Sequence, residues 1–470
     1  MKKTGIGIKI ICACVLLLLV VYAGGCYYYG NHFQRGTLID QVDVSNLTVQ
    51  DLADRVDAYF LRIQERKSDG SSYEESIDGK AIDLSYASTE PLQQILREQN
   101  QYLWFLPQHE EHETEALLSY SKDKLTQAVQ ALKGFEEDFA QAPTNAHISE
   151  YTPEAGFSIV AETQGNELDQ AKTLEVISNA VEELKGLVNL DAEGCYETPA
   201  VTSDSEELQN TLQKLQKYGT VTITYRFGDN IEVLDGSTIS TWLEVDGFAV
   251  TLDQTQVENY VATLRKKYDS IFRSRTFMTS YGKEITVDGG DYGWWMNYQQ
   301  EAKELAAQIE TGESGERTPV YYQTAASYGA PDYGDTYVEI NLTAQHLFFY
   351  KDGQLVMESD FVSGNSARGY DTPEGTYSIT YKQRNATLVG ENYETPVSYW
   401  MPFNKNIGMH DATWRSSFGG TIYKTKGSHG CINMPYEKAQ ELYGYIEKGT
   451  PVICYHLAGT ERSTESELEK

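Results

Sequence analysis

One apolar run near the N-terminus decides where the rest of this chain can fold. It extends from Ile10 to Ala23, follows lysines at positions 2, 3 and 9, and precedes tyrosines at 27–29. A positive flank, an apolar span and an aromatic belt are typical of a membrane helix whose N-terminus is cytosolic. The run is short for a span of about 20 residues, and we expect snorkelling by Lys9 and the tyrosines to extend it. We therefore predict that residues 1–33 form a cytosolic tip and a single-pass anchor, with the remaining chain outside the cell.

Two other interpretations of this run stay open. The small residues Ala23, Gly24 and Gly25 suit a signal peptidase, so the run can also be a cleaved signal. Lipidation of Cys26 is the third possibility, although Ala23 occupies a place where a larger aliphatic residue is expected. All three interpretations place the bulk of the chain outside the cell.

The charge of the chain excludes two classes of partner. Its 470 residues carry 38 Lys and Arg against 69 Asp and Glu, a net charge of −31. Nucleic-acid binding needs a basic footprint, so DNA and RNA are excluded, as is docking of the whole chain on an anionic membrane. With 40% hydrophobic residues, the chain can bury a sizeable core. At roughly 100–200 residues per domain, the length predicts about three folded units.

Apolar residues at helical spacing and short alternating runs predict α+β domains in the first two thirds of the chain. The helical sets are Leu174/Ile177/Val181/Leu184, Val257/Tyr260/Val261/Leu264 and Ala302/Leu305/Ala306/Ile309. A weak internal repeat is also predicted, because Ile77-Asp78-Gly79 resembles Leu234-Asp235-Gly236 and each precedes a helical segment. We place accessory domains at 34–200 and 201–325, the second closing on the glycine-rich and aromatic stretch 288–295.

The sequence patterns in the last third of the chain are typical of β-strands. Leu347–Tyr350 and Leu355–Phe361 flank Lys351-Asp352-Gly353, which predicts a hairpin. A helix is expected after Asn433, its predicted cap, with a stripe of Ala439, Leu442, Tyr443 and Ile446. Further strands are expected at Tyr337–Leu342, Thr376–Tyr381 and Thr450–His456. We therefore predict a mainly-β domain at 334–457 and a disordered polar tail at 458–470.

The residues with the clearest chemistry lie in this last domain. The pair His410-Asp411 precedes Ser428-His429-Gly430-Cys431-Ile432-Asn433, and 17 residues separate His410 from Ser428. A cysteine nucleophile needs a base or a cationic neighbour that favours its thiolate, and His410 and His429 are both candidates. Glycine at 430 permits a tight turn, and backbone N–H groups around Gly430 and Cys431 can form an oxyanion hole.

Three other interpretations of these residues compete with a thiol–imidazole site. The chain has six cysteines, and the three beyond the anchor are Cys195, Cys431 and Cys454. Cys431 can pair with Cys454, and any one pairing leaves a free thiol. His410, His429, Cys431 and His456 can bind zinc, although their spacing fits no compact zinc motif. They can also be ordinary core residues.

The motif Ser-His-Gly-Cys-hydrophobic-Asn with its upstream histidine resembles the catalytic signature of the L,D-transpeptidase family of peptidoglycan cross-linking enzymes. The similarity extends over about 120 residues, through Thr372-Pro373-x-Gly375, Tyr399-Trp400-Met401-Pro402-Phe403 and Gly408-Met409-His410-Asp411. The preceding region resembles the peptidoglycan-binding domains upstream of this catalytic domain in some Gram-positive members, with Gly156-Phe157 and Tyr292-Gly293-Trp294 as the matching residues. The resemblance implies a β-sandwich with a helix after the catalytic cysteine, and an enzyme facing the cell wall.

Carried over by residue, the resemblance implies that Cys431 is the nucleophile and His410 the general base and acid. His429 and Ser428 then shape the pocket, and the backbone carbonyl next to the base histidine orients it, with Asp411 the matching neighbour. Substrate-lining candidates are Tyr399, Trp400, Trp414, Arg415 and Asn433. The implied reaction is ping-pong acyl transfer from a donor tetrapeptide to an acceptor amine, with release of D-Ala and no metal or cofactor. The alternatives are an L,D-carboxypeptidase at the same site and a non-catalytic wall-binding protein.

Overall fold

The computed structural model describes residues 4–106, 110–113, 118–390 and 393–462. Residues 1–3 of the predicted cytosolic tip and residues 463–470 of the predicted tail lie outside the described residues. The chain folds into two compact units. The first comprises residues 1–149 and 159–209, and the second comprises residues 150–158 and 210–470.

The N-terminal helix is longer than the apolar run that predicted it. It extends over Thr4–Tyr29, and its part from Ile8 to Tyr29 is long and apolar enough to cross a membrane. At 1.5 Å per residue these 22 residues reach about 33 Å, which matches a bilayer core of about 30 Å. The aliphatic side chains from Ile8 to Val21 are exposed, as expected for an anchor or a signal peptide.

The first unit is built of short helices and small sheets around one main core. Its helices after the N-terminal one are Val49–Asp57, Glu90–Glu98, Lys122–Gln130 and Gln170–Glu182. Its strands are Leu38–Ile39, Val42–Asp43, Phe60–Arg66, Ser72–Asp78, Ser85–Tyr86, Glu111–His112, Leu118–Ser119, His147–Ile148, Ile159–Val160 and Leu187–Asn189. The core lies between the 60–66 strand and the helices at 122–130 and 170–182.

The predicted internal repeat is confirmed by sheet topology. In the first unit, strand Phe60–Arg66 lies between Ser72–Asp78, which is antiparallel to it, and Leu187–Asn189, which is parallel. In the second unit, Ile223–Phe227 lies in the same way between Asn230–Leu234 and Gly315–Arg317. The aspartates of the two matching motifs, Asp78 and Asp235, both accept hydrogen bonds from the amides that follow them and cap a short helical turn.

The second unit contains the second copy and the mainly-β domain. The helices from residue 206 onward, the first of which begins in the first unit, are Glu206–Gly219, Gly236–Ile239, Gln254–Tyr268, Tyr298–Thr311, Tyr423–Lys426 and Tyr436–Tyr445. Its further strands before residue 330 are Leu243–Asp246, Ala249–Leu252, Arg275–Met278, Glu284–Val287, Trp295–Met296 and Tyr321–Gln323. The helices at 254–268 and 298–311 bury the predicted apolar stripes, including Val257, Val261, Leu305 and Ile309.

Two sheets form the last domain, as predicted for a β-sandwich. One has the spatial order Gln354–Asp360, His346–Lys351, Tyr337–Asn341, Pro451–Tyr455, Gly375–Ser378, and the other Gln383–Gly390, Tyr393–Asn404, Ile407–Asp411, Ile432–Met434. The predicted hairpin is present, with Asp352 and Gly353 both at positive φ as a tight two-residue turn requires. One core cluster contains side chains of both sheets and of the helix Tyr436–Tyr445, so the sheets share a single interior.

The stretch 288–295 joins the second accessory segment to the sandwich. Thr376 donates its amide to Gly289 O and accepts from Tyr292 N at 3.0 Å, so this stretch pairs along strand Gly375–Ser378. Gly290 has φ +84°, and a Cβ there would lie 2.0 Å from Thr376 O, so only glycine fits. Phe277 and Tyr292 pack with Tyr455 in a buried cluster. The tight glycines and aromatics noted in the sequence therefore form an edge that packs on a neighbouring segment.

Arg275 and Asp332 form a buried ion pair, and breaking this pair is predicted to lower the stability of the fold. Their side chains are 7% and 5% exposed, and two bonds of 2.8 Å join them, with further Arg275 bonds to Ser270 O and Tyr292 O. Replacing Arg275 by Met leaves the carboxylate buried and unpaired, so we expect the free energy of unfolding to fall by about 3–5 kcal/mol. Chemical denaturation of the full-length chain measures this. Arg226→Met is the matched control, because its pair with Glu316 is exposed and the denaturation midpoint is expected to stay unchanged.

Candidate active site

Two adjacent strands bring the predicted histidine and cysteine to one cavity. Ile407–Asp411 and Ile432–Met434 are parallel neighbours, with His410 opposite Asn433. Cys431 immediately precedes the second strand and therefore lies near Gly408, two residues before His410. The cavity has a volume of about 250 Å³. It is lined by Leu388, Thr395, His410, Trp414, Arg415, Gly427, Ser428, His429, Cys431 and Asn433.

Burial favours the protonated form of the Cys431 sulfur. The residue is 9% exposed, and its Sγ lies 3.7 Å from the Asn406 carbonyl as a hydrogen-bond donor. Desolvation raises the pKa of the thiol to about 11, and a backbone bond from Gly408 opposes this only in part. The sequence predicts a base or a cationic neighbour that favours the thiolate, whereas burial at this site acts in the opposite direction.

His410 is oriented by a backbone carbonyl. Its ring is 3% exposed, and Nδ1 lies 2.8 Å from Asp411 O, which can only accept, so Nδ1 carries the proton of the neutral ring. Nε2 is then the free basic nitrogen. Burial lowers the pKa of His410 below 6.5, and the bond to Asp411 O and the Asp411 charge oppose this shift. The imidazole is therefore neutral, and a proton acceptor, at neutral pH.

The Asp411 side chain binds the backbone of the neighbouring strand. Its Oδ1 accepts the amides of Ser398 and Tyr399, both at 2.8 Å, and the residue is 2% exposed. These bonds fasten the strand Ile407–Asp411 to its neighbour Tyr393–Asn404. Asp411 thus contacts His410 through its backbone carbonyl, while its carboxylate holds the sheet.

Ser428 and Gly430 shape the turn before Cys431. Ser428 Oγ donates to Cys431 O at 2.6 Å and accepts from Gly430 N at 3.0 Å, which closes the turn on itself. Gly430 has φ +117°, and a Cβ there would lie 3.1 Å from the Ile407 side chain. Because Gly430 N–H is taken by Ser428, Cys431 N–H is the amide that remains for a substrate oxygen.

Thr372 fixes the peptide between Gly430 and Cys431. Its Oγ1 donates to Gly430 O at 2.7 Å and accepts from Gly364 N at 3.1 Å, and the side chain is buried. Since a trans peptide directs its C=O and N–H to opposite sides, the Cys431 N–H points away from Thr372. The sequence predicts no role for Thr372, and its place in the motif Thr-Pro-x-Gly is the signal that could have indicated one.

Comparison with known proteins bears directly on this site. The family model for the L,D-transpeptidase catalytic domain (YkuD) matches residues 335–454. The crystal structure of a cysteine-to-serine mutant of Enterococcus faecium L,D-transpeptidase is 36% identical over 53% of this chain and 100% of that chain, with a TM-score of 0.44.

The chain belongs to the L,D-transpeptidase family. The NMR structure of the E. faecium catalytic domain acylated by ertapenem is 45% identical over 26% of this chain and 98% of that one, with a TM-score of 0.25. A second family model, "Putative peptidoglycan binding domain", matches residues 74–189 and 201–317. A comparison with curated proteins gives no match. The predicted family and its enzyme class are confirmed, and the matches indicate peptidoglycan cross-linking.

The substrate-lining candidates of this transpeptidase divide into two groups. Trp414, 52% exposed, and Arg415 both line the cavity, and Arg415 donates to Lys426 O at 3.0 Å. Burial lowers the pKa of the Arg415 guanidinium. Tyr399 is instead a core residue between the second sheet and the helix Tyr436–Tyr445. Trp400 is also buried, and it packs against Cys431 and the His410 ring.

His429 lies at the rim of the same cavity. Its side chain is exposed and its ring centroid lies 4.7 Å from that of Tyr370, so an aromatic pair borders the opening. The position is next to Gly430 and faces solvent, unlike the buried His410. The structure therefore separates the two histidines that the sequence left as alternative bases.

The prediction that Asn433 caps the following helix is wrong. The helix begins at Tyr436 and its N-cap is Pro435. The proline ring fixes φ at −54°, and proline has no backbone N–H that needs a hydrogen-bond partner. Asn433 lies earlier, inside the strand Ile432–Met434, and exchanges backbone bonds with Val362. Its side chain lines the cavity, and its Oδ1 is buried without a hydrogen-bond partner in the described part of the chain.

Two of the competing interpretations, the disulfide and the zinc site, find no support in the arrangement of the described side chains. Cys431 and Cys454 are both free thiols, and Cys454 lies in the sandwich core. Within the residues that the structure describes, no group of three or more His, Cys, Asp or Glu side chains is placed to hold a metal ion. Cys195 is also a free, buried thiol.

Proposed function

We propose that this L,D-transpeptidase forms cross-links at position three of the peptidoglycan stem through an acyl-enzyme on Cys431. One observation carries the proposal: a single cavity contains the Cys431 thiol and a neutral His410 whose Nδ1 is committed to a backbone carbonyl. That arrangement leaves Nε2 as the basic atom of the cavity. A thiol nucleophile with an oriented imidazole is the pattern of covalent acyl transfer.

In the first half-reaction, His410 Nε2 removes the Sγ proton as sulfur attacks the carbonyl carbon of the third residue of a donor tetrapeptide. The tetrahedral oxyanion is stabilised by the Cys431 N–H. The C–N bond to D-Ala then breaks, and the imidazolium returns its proton to the departing amine.

In the second half-reaction, an amine on an acceptor stem attacks the thioester. His410 Nε2 takes the amine proton, the new amide bond forms, and the C–S bond breaks with return of the proton to Cys431. Water in place of the amine gives the carboxylate, which is the L,D-carboxypeptidase alternative. In this proposal the stem peptide lies in the cavity bordered by Trp414, Arg415, His429 and Asn433. The Oδ1 atom of Asn433 has no hydrogen-bond partner among the described residues.

Incubation of the detergent-solubilised chain with a donor tetrapeptide stem, with and without an acceptor amine, tests this function. Mass spectrometry of the products is expected to show the cross-linked peptide and free D-Ala when the amine is present. Products of hydrolysis alone, in the presence of the amine, indicate the carboxypeptidase. No turnover under either condition leaves only the non-catalytic wall-binding alternative.

Thr372 is predicted to keep the oxyanion donor aligned. Thr372→Val removes the bond to Gly430 O, so the Cys431 N–H loses its fixed direction, and we expect kcat to fall about tenfold or more with a smaller change in KM. Thr372→Ser retains the hydroxyl and is expected to restore most of kcat. Equal losses in the Val and Ser variants at similar melting temperatures would mean that the bond does not position the site.

Localisation and domain organisation complete the proposal. The N-terminal helix anchors the chain in the cell membrane with the catalytic domain outside, facing the wall of a Gram-positive cell. Residues 34–200 and 201–325 form the two accessory domains, and residues 334–457 form the catalytic domain. The enzyme is a target of carbapenems, by analogy with the E. faecium catalytic domain that is described as acylated by ertapenem.

A further inference from the structure

Four exposed apolar side chains lie in one short segment of the first unit. Tyr102, Leu103, Phe105 and Leu106 are 60%, 38%, 55% and 48% exposed. The segment 100–106 contains no charged residue, although the whole chain carries a net charge of −31. A contiguous apolar surface on a folded protein typically marks a contact with another protein, a ligand or a membrane. We call these four residues the apolar patch.

The apolar patch lies against the N-terminal helix. The hydroxyl of Tyr22 donates a hydrogen bond to Tyr102 O at 3.2 Å, and the Tyr22 and Phe105 ring centroids are 6.3 Å apart. Trp104, which lies inside the same segment, approaches the helix closely, since a Cβ on Gly25 would lie 2.1 Å from its ring. Tyr102 and Phe105 therefore lie at the level of Tyr22 along the helix.

Hydrogen bonds of Gln99 hold the segment in this position. Gln99 is 9% exposed, and its Nε2 donates to Tyr29 O and, at 2.7 Å, to His32 O. Its Oε1 accepts the amide of Gln34 at 3.1 Å. The Tyr29 hydroxyl donates to Asn46 Oδ1 at 2.8 Å, which joins the end of the helix to the same folded unit. The apolar patch is therefore fixed beside the helix before any partner binds.

The length of the helix sets the depth of Tyr22 in a membrane. The helix begins at Thr4, and the lysines at positions 2 and 3 disfavour an earlier start of the membrane span. A bilayer core of about 30 Å needs about 20 helical residues at 1.5 Å each, so a span that starts at Thr4 ends at roughly residue 23. A later start or a tilted helix moves this end further toward Tyr29. When the helix spans a membrane, Tyr22 therefore lies within the hydrocarbon core, and side chains that touch it reach the same depth.

Position and composition together select the membrane as the partner of the apolar patch. At the outer edge of the hydrocarbon core, aromatic and aliphatic side chains are favoured and charged ones are costly. The uncharged patch meets this requirement, and it continues the exposed aliphatic surface of the helix. We propose that the apolar patch inserts into the outer leaflet of the cell membrane beside the helix, as a second membrane contact of the first unit. This inference rests on the proposed membrane anchor, and the added contact fixes how the first unit is rotated about the helix axis.

Photolabelling from within the bilayer tests both contacts on the full-length chain. The chain is reconstituted into vesicles of phosphatidylcholine, a fraction of which has a diazirine on one acyl chain, and it is irradiated and digested with trypsin. Peptide 10–35 contains the helix, and peptide 98–122 contains the apolar patch. Lipid adducts are expected on both peptides, and within the second on residues 102–106. Peptide 56–62, which contains the exposed Phe60 of the same unit, is expected to remain unlabelled.

A double substitution in the apolar patch gives the quantitative test. Phe105→Gln combined with Leu106→Gln is expected to reduce labelling of peptide 98–122 at least about tenfold, because two apolar side chains that favour the hydrocarbon are replaced by amides that do not. Labelling of peptide 10–35 is expected to stay unchanged. Phe60→Gln is the matched control and is expected to leave both peptides labelled as in the unmodified chain. Since all three side chains are exposed, the melting temperatures of both variants are expected to match that of the unmodified chain.

Three outcomes overturn the proposal while the anchor stands. They are adducts on peptide 10–35 alone, which assign the apolar patch to a partner outside the membrane, equal labelling of peptides 56–62 and 98–122, and undiminished labelling in the double variant. Absence of adducts on both peptides contradicts the proposed anchor and, with it, this contact. The labelling does not depend on turnover, so its result is separate from the test of the transpeptidase reaction.

Discussion

Replacing Cys431 by alanine is expected to abolish release of D-Ala from a donor tetrapeptide, with a fall in kcat/KM of at least about 10⁴-fold. The sulfur is the atom that forms the thioester, and no other thiol of the described residues lines the cavity. Release of D-Ala by the full-length chain, followed by chromatography, measures the effect. Since alanine is smaller and the site is buried, the variant is expected to remain folded.

Cys454→Ala provides the control for this result. Cys454 is fully buried in the sandwich core, and desolvation strongly raises the pKa of its thiol. Its removal is expected to lower the melting temperature but to leave the rate of D-Ala release near the unmodified value. Substantial activity in the Cys431→Ala chain would assign the chemistry to another group.

The second large effect is expected on the acylation rate when His410 is replaced. His410→Ala is expected to lower the acylation rate about 10²–10⁴-fold, the usual range for loss of a general base. The resting thiol has a pKa of about 11, so the variant has almost no thiolate at neutral pH to compensate. Single-turnover acylation measures the rate without interference from the acceptor step.

The pH dependence of the unmodified chain follows from burial. The basic form of His410 is the neutral ring, and burial lowers its pKa below 6.5. Acylation is therefore expected to be lost as pH falls through that lowered value, and to be constant from about pH 7 up to the range where the thiol ionises. An ascending limb centred above pH 7 would instead indicate a thiolate–imidazolium pair at rest, with the His410 pKa raised.

Local patterns predicted much of the sandwich and its reactive pair. The dipeptide Asp352-Gly353 is enough to predict the hairpin. A two-residue turn of this kind needs positive φ at both positions, and Asp-Gly is a favoured sequence for it. Cys431 and His410 were predicted through the resemblance to the L,D-transpeptidase signature, because the residues alone also fit a disulfide, a zinc site or the core. The repeat was visible because Ile77-Asp78-Gly79 and Leu234-Asp235-Gly236 are alike and each precedes a helical segment.

Features that depend on distant contacts were not predictable from these patterns. Tyr399 and Trp400 are neighbours in one strand, and the sequence does not tell which one faces the core and which one faces Cys431. Asn433 was assigned to a helix cap because Asn is a favoured cap, but Pro435 starts the helix and the pairing with Ile407–Asp411 holds Asn433 in a strand. The raised pKa of the Cys431 thiol follows from burial among side chains of the second sheet. The role proposed for Thr372 follows from a fold that brings it to Gly430.

The most direct test of the central claim is the mass of the protein after reaction with a carbapenem, followed by peptide mapping. One covalent adduct per chain, located on Cys431 and absent from the Cys431→Ala chain, is the predicted result. An adduct on Cys195 or Cys454, or an unmodified Cys431 in a chain that still releases D-Ala, would contradict the assignment of Cys431 as the nucleophile.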